Sequence, residues 1–306
     1  MSLKVVFMGT PKFSVPTLES LIKNKFNILS VYTQPAAKSN RGQKINFSPV
    51  QEFAKNKKLN IKNPKNLNNA EELEAFKKLS ADIVVVVAYG QIIPKNFLDL
   101  VKFGFINIHA SLLPKWRGAA PIQRAIMNGD RKTGVSIMKI EEKLDSGPVI
   151  LVKEIDLEKN NTCGEIEKNL SEIGASLLIE SLKKIESGKA KFIKQINSEA
   201  TYAKKINKKE TKINWNLDAN KVVSHINGLS PSPGAWFQYE KERFKVLRAN
   251  KSQHPGEPGV VLDENLTIGC KSESIKILEI QRQGKNKQNT KEFLLGKKII
   301  VGSNLN

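Results

Sequence analysis

Cysteine and histidine are scarce in this chain of 306 residues: two cysteines, Cys163 and Cys270, and three histidines, His109, His225 and His254. Two thiols build neither a disulfide framework nor a thiolate metal cluster. No histidine stands at ligand spacing from another, so no metal site is expected. Long apolar runs are missing too, with none approaching the ~18 residues of a membrane span. The opening Met1-Ser2-Leu3-Lys4-Val5-Val6-Phe7-Met8-Gly9 lacks a charged region followed by a long apolar stretch and a small-residue cleavage site. It reads as the first strand of a cytoplasmic protein with no membrane partner. The turn after it lacks G-x-G-x-x-G, and the chain has no P-loop and no G-x-S-x-G elbow. A dinucleotide site, a Walker phosphate cradle and a serine-hydrolase nucleophile are therefore not indicated.

Acidic residues are the other shortfall. Against 50 Lys and Arg stand 30 Asp and Glu, a formal net charge of +20. That excess suits a polyanionic partner such as nucleic acid, or equally a compositional taste for lysine, and charge alone does not separate the two. Residues 1–189 hold 29 basic and 19 acidic residues, while residues 190–306 hold 21 and 11. The shorter part is the more densely basic.

What is present is a strong alternation of apolar runs and helical patterns. Residues 3–8 predict a first strand, and Gly9-Thr10-Pro11 turns it into a helix over 15–22. Further strands are expected over 26–32, 83–88 and 103–108, and helices after Ser48-Pro49-Val50-Gln51, over 70–79, 94–101 and 121–127. This order predicts a doubly wound, mostly parallel α/β sheet of Rossmann-like kind. Strands over 135–140 and 149–155, then a long helix opened by Thr162-Cys163-Gly164-Glu165, complete a first domain taken as residues 1–189. Residues 190–206 read as a basic linker. Short runs over 236–239, 244–249, 260–262, 266–270 and 275–280, with helices near 219–226 and 291–295, predict a small β-barrel over 207–306. Residues 33–47 stand apart as a polar, aperiodic loop carrying Lys38, Arg41 and Lys44. A loop this long in a compact domain is more often functional than filler.

The first domain is organised around Asn107-Ile108-His109-Ala110-Ser111-Leu112-Leu113-Pro114-Lys115-Trp116-Arg117-Gly118. Side chains two apart on a strand share a face, so Asn107 and His109 point together while Ile106 and Ile108 point away. The strand then stops in a stretch whose prolines and glycine continue neither ladder nor helix. The carboxyl end of a strand is where an open α/β sheet places its ligand chemistry. Asp145, in a turn between two later strands, can complete a site by holding the other imidazole nitrogen or a water. A Ser111 nucleophile is conceivable, although its flanks match no elbow. Cys163, in the first turn of its helix, reads as a bystander thiol. The best-fitting chemistry is direct acyl transfer without a covalent enzyme intermediate. An amine attacks a carbonyl, Asn107 and protonated His109 stabilise the oxyanion, and Asp145 keeps His109 charged and helps to remove the amine proton.

The run from Asn107 to Pro121, followed by Leu144-Asp145-Ser146-Gly147, resembles the 10-formyltetrahydrofolate-dependent formyltransferases. The likeness extends to Gly9-Thr10-Pro11-Lys12-Phe13, Arg41-Gly42-Gln43-Lys44 and Ala200-Thr201-Tyr202-Ala203-Lys204-Lys205. It implies Asn107, His109 and Asp145 as the catalytic trio. It sets Ser111, Leu112, Leu113 and Pro114 along the folate site, with the pteridine against the backbone of Tyr89, Gly90, Gln91 and Ile92 and the loop before Asp145. It implies 10-formyltetrahydrofolate as co-substrate, no metal, and the amino group of methionine esterified to initiator tRNA as acceptor. The second domain would be an OB-like barrel that helps to hold the tRNA, with Arg41, Lys44, Lys204, Lys205 and Lys208 toward the nucleic acid. A monomer is expected. Gln43 departs from the pattern, where a second base beside the arginine is common, and this bears on the strength of the loop's grip. Rival readings that share the trio are a sugar-nucleotide N-formyltransferase and a formyltetrahydrofolate hydrolase. A rival of another class is a non-enzymatic RNA-binding module with a relict α/β domain.

Overall fold

A computed structural model describes residues 3–39 and 44–305. The chain divides into two compact units, the first made of residues 1–117, 134–154 and 168–201, the second of 118–133, 155–167 and 202–306. In chain order the strands up to residue 156 are β1 (Lys4–Gly9), β2 (Asn27–Tyr32), β3 (Ala37–Ser39), β4 (Lys44–Asn46), β5 (Ile61–Lys62), β6 (Ile83–Val87), β7 (Phe105–His109), β8 (Arg117–Gly118), β9 (Lys132–Lys139) and β10 (Val149–Asp156). Seven of them form one sheet in the order β10-β9-β7-β6-β1-β2-β5.

The sheet is mostly parallel. β1 pairs in parallel with β2 and β6, β6 with β7, and β2 with β5, whereas β7 and β9 run antiparallel. The chain leaves β1 toward β2 and β5 and returns through β6 on the other side, so the topological switch lies between β1 and β6. β6, the run Ile83-Val84-Val85-Val86-Val87, is buried at every position, as a strand covered on both faces requires.

The helices of this unit begin where their caps dictate. α1 (Val15–Lys23) carries proline in its first turn. Before α2 (Pro49–Asn56) the Ser48 hydroxyl accepts from the Gln51 N–H, and before α3 (Ala70–Lys78) the Asn69 side chain accepts from Glu71 N–H. The helix expected over 94–101 is the single turn α4 (Lys95–Leu98). On one face of the sheet Met8, Val86 and Phe105 pack with Tyr32, Phe76 and Phe97. The opposite face meets the long helix that follows Thr162. There a Cβ on Gly174 would stand 2.8 Å from Cγ2 of Ile108, so only glycine lets the helix lie this close.

The second unit holds α5 (Pro121–Asn128), the start of α6 (Cys163–Glu186), α7 (Ala219–Leu229) and a five-stranded antiparallel sheet. The reciprocal Thr162–Glu165 box opens α6: Thr162 N–H donates to Glu165 Oε2 at 2.9 Å and Glu165 N–H to Thr162 Oγ1 at 3.4 Å. After the two-residue β11 (Tyr202–Ala203) come β12 (Ala235–Tyr239), β13 (Glu242–Ser252), β14 (Thr267–Gly269), β15 (Ser274–Arg282) and β16 (Lys287–Asn289), then α8 (Thr290–Gly296). β12, β13, β15 and β14 lie side by side, with β16 on β15, and β13 carries register irregularities between Val246 and Ala249 that bend it. The antiparallel half-barrel so formed encloses Trp215, Phe237, Phe244 and Phe293.

Some local expectations fail, each for a backbone reason. The stretch over 33–47 is not wholly aperiodic, since β3 and β4 pair antiparallel. Arg41 lies outside the described residues. Residues 260–262 form no strand and contribute isolated bridges, Val260 with Asn304 and Val261 with Ile268. β5 and β16 escape a search for apolar periodicity because they are two and three residues long, formed where an existing edge offers backbone partners. Among the described residues, no helix is long and apolar enough to cross a membrane.

Candidate active site

The site forms at the carboxyl end of β7 in the first unit. In register, Asn107 lies beside Val86 of β6 and Met138 of β9, and His109 beside Ser136. Asn107 therefore shares a face with His109, away from Ile108 and α6, as the alternation of a strand demands. Its amide is half-buried, and no hydrogen bond to another described residue engages it.

His109 is 6% exposed. Its Nε2–H donates to the carbonyl of Trp116 at 3.0 Å, and Nδ1 lies 3.7 Å from Oδ2 of Asp145. The ring thus lies between a backbone carbonyl within hydrogen-bond distance and a carboxylate slightly beyond it. The Asp145 side chain is 18% exposed, so it meets both the imidazole and the solvent side of the site. Asp145 itself has φ of +46°, and Trp116 has φ of +61°, left-handed values that a side chain adopts only when its surroundings impose them.

The Ser111–Pro114 loop is held from below by a residue that sequence reasoning missed. Ser136 Oγ donates to the Ser111 carbonyl at 2.7 Å and accepts from Leu113 N–H at 3.1 Å. The signal was its place opposite His109 on an antiparallel neighbour, visible only once the sheet order is known. Ser111 is fully buried and its hydroxyl donates to the Lys115 carbonyl at 2.6 Å, which occupies it structurally and argues against a nucleophile. Burial pushes the Cys163 thiol up to about 12, so it stays protonated despite its place at a helix start.

The segment after β6 divides in role. The Tyr89 ring belongs to the core, and burial drives its phenol well above the ordinary value. The Tyr89 carbonyl accepts from Thr10 Oγ1 at 2.7 Å, the Gly90 carbonyl from Gln34 Nε2 at 2.8 Å, and Gln91 Nε2 donates to Pro64 O at 2.9 Å. Ile92 is 90% exposed. Beside the Asp145 loop opens a cleft of about 660 Å³, with Leu98, Phe105 and Ile140 among its apolar lining and Glu141, Ser146 and Gln195 among its polar lining. Lys95 and Glu142 pair at 2.8 Å at its rim.

Of the residues expected to meet nucleic acid, Lys204, Lys205 and Lys208 are exposed in the second unit. Lys44 lies in β4, with its side chain outside the described part.

Comparison with known proteins decides the family. A family model described as formyl transferase matches residues 3–182, and one described as formyl transferase, C-terminal domain, matches residues 205–298. The chain belongs to the formyl transferase family. Within the family it is 52% identical over 307 aligned residues to the methionyl-tRNA formyltransferase of Pelagibacter ubique, covering 100% of this chain and 99% of that protein. The methionyl-tRNA formyltransferase of Mesorhizobium japonicum is 44% identical, with 99% of each chain covered. Among solved structures, the N-formyltransferase from Helicobacter canadensis, in complex with folinic acid and dTDP-3-aminofucose, has a TM-score of 0.69 at 20% identity, covering 92% of this chain and 99% of that one. At that identity the likeness speaks for the fold.

Proposed function

We propose that the chain transfers the formyl group of 10-formyltetrahydrofolate to the free amino group of methionyl-initiator tRNA, with Asn107, His109 and Asp145 at the reacting carbon. The observation that carries this reading is the convergence of His109 and Asp145, 3.7 Å apart, on the face that also presents the Asn107 amide. The full-length likeness to methionyl-tRNA formyltransferases supports the choice of acceptor.

The residues divide the work by chemistry. The Asn107 amide donates to the oxygen of the formyl carbonyl as negative charge develops there, a contribution of about 3–4 kcal/mol in comparable sites. His109, held between the Trp116 carbonyl and Asp145, supplies positive charge to the same oxygen. Asp145 balances that charge and takes up the proton released as the amine nitrogen bonds to carbon. The bond to the folate nitrogen then breaks, that nitrogen leaves protonated, and tetrahydrofolate and formylated aminoacyl-tRNA are released. Leu98, Phe105 and Ile140 receive the pteridine in the cleft beside Asp145. Backbone of Tyr89 to Ile92 and the Ser111–Pro114 loop border its path.

Residues 1–189 perform the transfer in this reading, and residues 207–306 hold the tRNA through lysines including Lys208, with Lys204 and Lys205 of the linker beside them in sequence. Arg41 and Lys44 grip the end of the acceptor stem. A sugar-nucleotide acceptor would not call for so densely basic a second part, with 21 basic against 11 acidic residues over 190–306.

One experiment separates the readings. The protein is incubated with 10-formyltetrahydrofolate and offered methionyl-tRNA, an amino sugar nucleotide or water alone. Formylation of methionyl-tRNA is expected. Preferential formylation of the sugar, or release of formate without acceptor, would overturn it.

A further inference from the structure

Asp145 and Trp116 flank His109 from opposite sides, and both sit in left-handed backbone at φ +46° and +61°. Neither is glycine, so each conformation costs on the order of 1–3 kcal/mol and persists only where neighbours over-determine it. Hydrogen bonds to both come from one short segment, residues 195–201, which the sequence presents as part of a basic connection.

Gln195 holds the Asp145 side. Its Nε2 donates to the Asp145 carbonyl at 2.9 Å and to the Gly147 carbonyl at 2.7 Å, so a single amide group satisfies both acceptors of the turn. Its orientation is not free. Arg117, 4% exposed, donates from Nε and Nη2 to Gln195 Oε1 at 3.0 and 2.8 Å, and from Nη2 to Asn197 Oδ1 at 2.9 Å. A guanidinium only donates, so the oxygen must face Arg117 and the NH2 must face the turn.

Thr201 holds the Trp116 side. Its Oγ1 accepts from Trp116 N–H at 2.9 Å and its carbonyl from Arg117 N–H at 2.8 Å, while its own N–H donates to the Pro114 carbonyl at 3.3 Å. The carbonyl that receives His109 Nε2–H therefore belongs to a residue fastened on both sides by Thr201.

We propose that residues 195–201 are a brace for the catalytic imidazole, with Gln195 and Thr201 acting as positioning residues that set Asp145 and the Trp116 carbonyl against His109. The proposal rests on the reading of Asp145 and His109 as catalytic. Neither Gln195 nor Thr201 touches the reacting atoms in this scheme. They act through the geometry of the two acceptors, and a displacement of about 1 Å in such a constellation costs on the order of 100-fold in rate.

The test uses the full chain with both substrates and measures kcat, both KM values and Tm. Gln195→Glu keeps an acceptor for Arg117 but places carboxylate oxygen against the Asp145 and Gly147 carbonyls. Its kcat is expected to fall about 10–100-fold with the KM for methionyl-tRNA within about two-fold of wild type, while the folate KM rises as well because Gln195 also lines the cleft. Thr201→Val should lower kcat by about ten-fold, and Thr201→Ser, which keeps the hydroxyl, should restore most of that loss. The decisive variant is Gln195→Glu combined with Asp145→Asn. If Gln195 works through Asp145, the double variant is no slower than Asp145→Asn alone. Losses that multiply, or a Gln195→Glu effect confined to KM, would overturn the brace while leaving the trio intact. Wild-type kcat in Asp145→Asn would instead overturn the trio, and the brace with it.

Discussion

Nδ1 of His109 lies 3.7 Å from Oδ2 of Asp145, while Nε2 is already committed to the Trp116 carbonyl at 3.0 Å. The imidazole is therefore aimed by one neutral and one charged acceptor, and only the second can be removed by a side-chain change. Asp145→Asn keeps the shape of the turn and deletes the charge. Its kcat for formyl transfer is expected to fall by about 10²–10⁴-fold, in the range of a lost general acid–base partner. Steady-state kinetics at saturating substrates checks this, and a rate near wild type would remove Asp145 from the chemistry.

Gly147 closes the same turn at van der Waals limits. A Cβ built there would stand 1.9 Å from the Lys139 carbonyl oxygen, which is backbone and cannot swing aside. Gly147→Ala should cost about 1–3 kcal/mol, as overpacking does, and should also displace Asp145. Denaturant melts and kcat measured on the same preparation are expected to fall together.

Two groups in the second unit give separable acid responses. His225 is half-buried and its Nε2–H donates to the Glu210 carbonyl at 2.7 Å, and burial lowers its pKa below the ordinary imidazole value. Between that lowered value and about 6.5 the unfolded chain binds a proton that the folded chain does not, so stability falls as pH drops below about 6.5. Glu210 behaves differently. Its two hydrogen bonds from Arg124, at 2.9 and 3.0 Å, hold its carboxyl below the usual range, so its contribution is complete above about pH 4.3 and fades as pH falls through the lowered value. Thermal melts of wild type and His225→Gln should converge as pH drops from 7 toward 5. Those of wild type and Glu210→Gln should converge only below about pH 4.

The nucleic-acid side of the proposal makes a salt-dependence prediction. Replacing any one of Lys204, Lys205 or Lys208 by alanine should reduce the slope of log K against log salt by about one unit or less, without changing folate binding. Arg41→Ala should impair transfer to charged tRNA while sparing the folate step. Filter binding across a salt series, beside kinetics with each substrate varied, reads both. Equal slopes for wild type and all three lysine variants would place the tRNA elsewhere.

Much of this protein follows from local chemistry in the chain. β6 is five consecutive β-branched residues, so it becomes a fully buried parallel strand wherever the sheet forms. Ser48, Asn69 and the Thr162–Glu165 box start their helices because a side-chain oxygen within three residues satisfies N–H groups that the helix cannot. The two-residue period of a strand puts Asn107 and His109 on one face, whatever else the chain does. What local chemistry could not decide is which distant segments meet them. That Asp145 reaches His109 depends on β9 pairing antiparallel with β7, and that Ser136, Gln195 and Thr201 steady the site depends on turns closing across long sequence separations. Such contacts exist only after the sheet order is set, since a hydrogen bond is specified by position in space and leaves no periodic trace in the residues that make it.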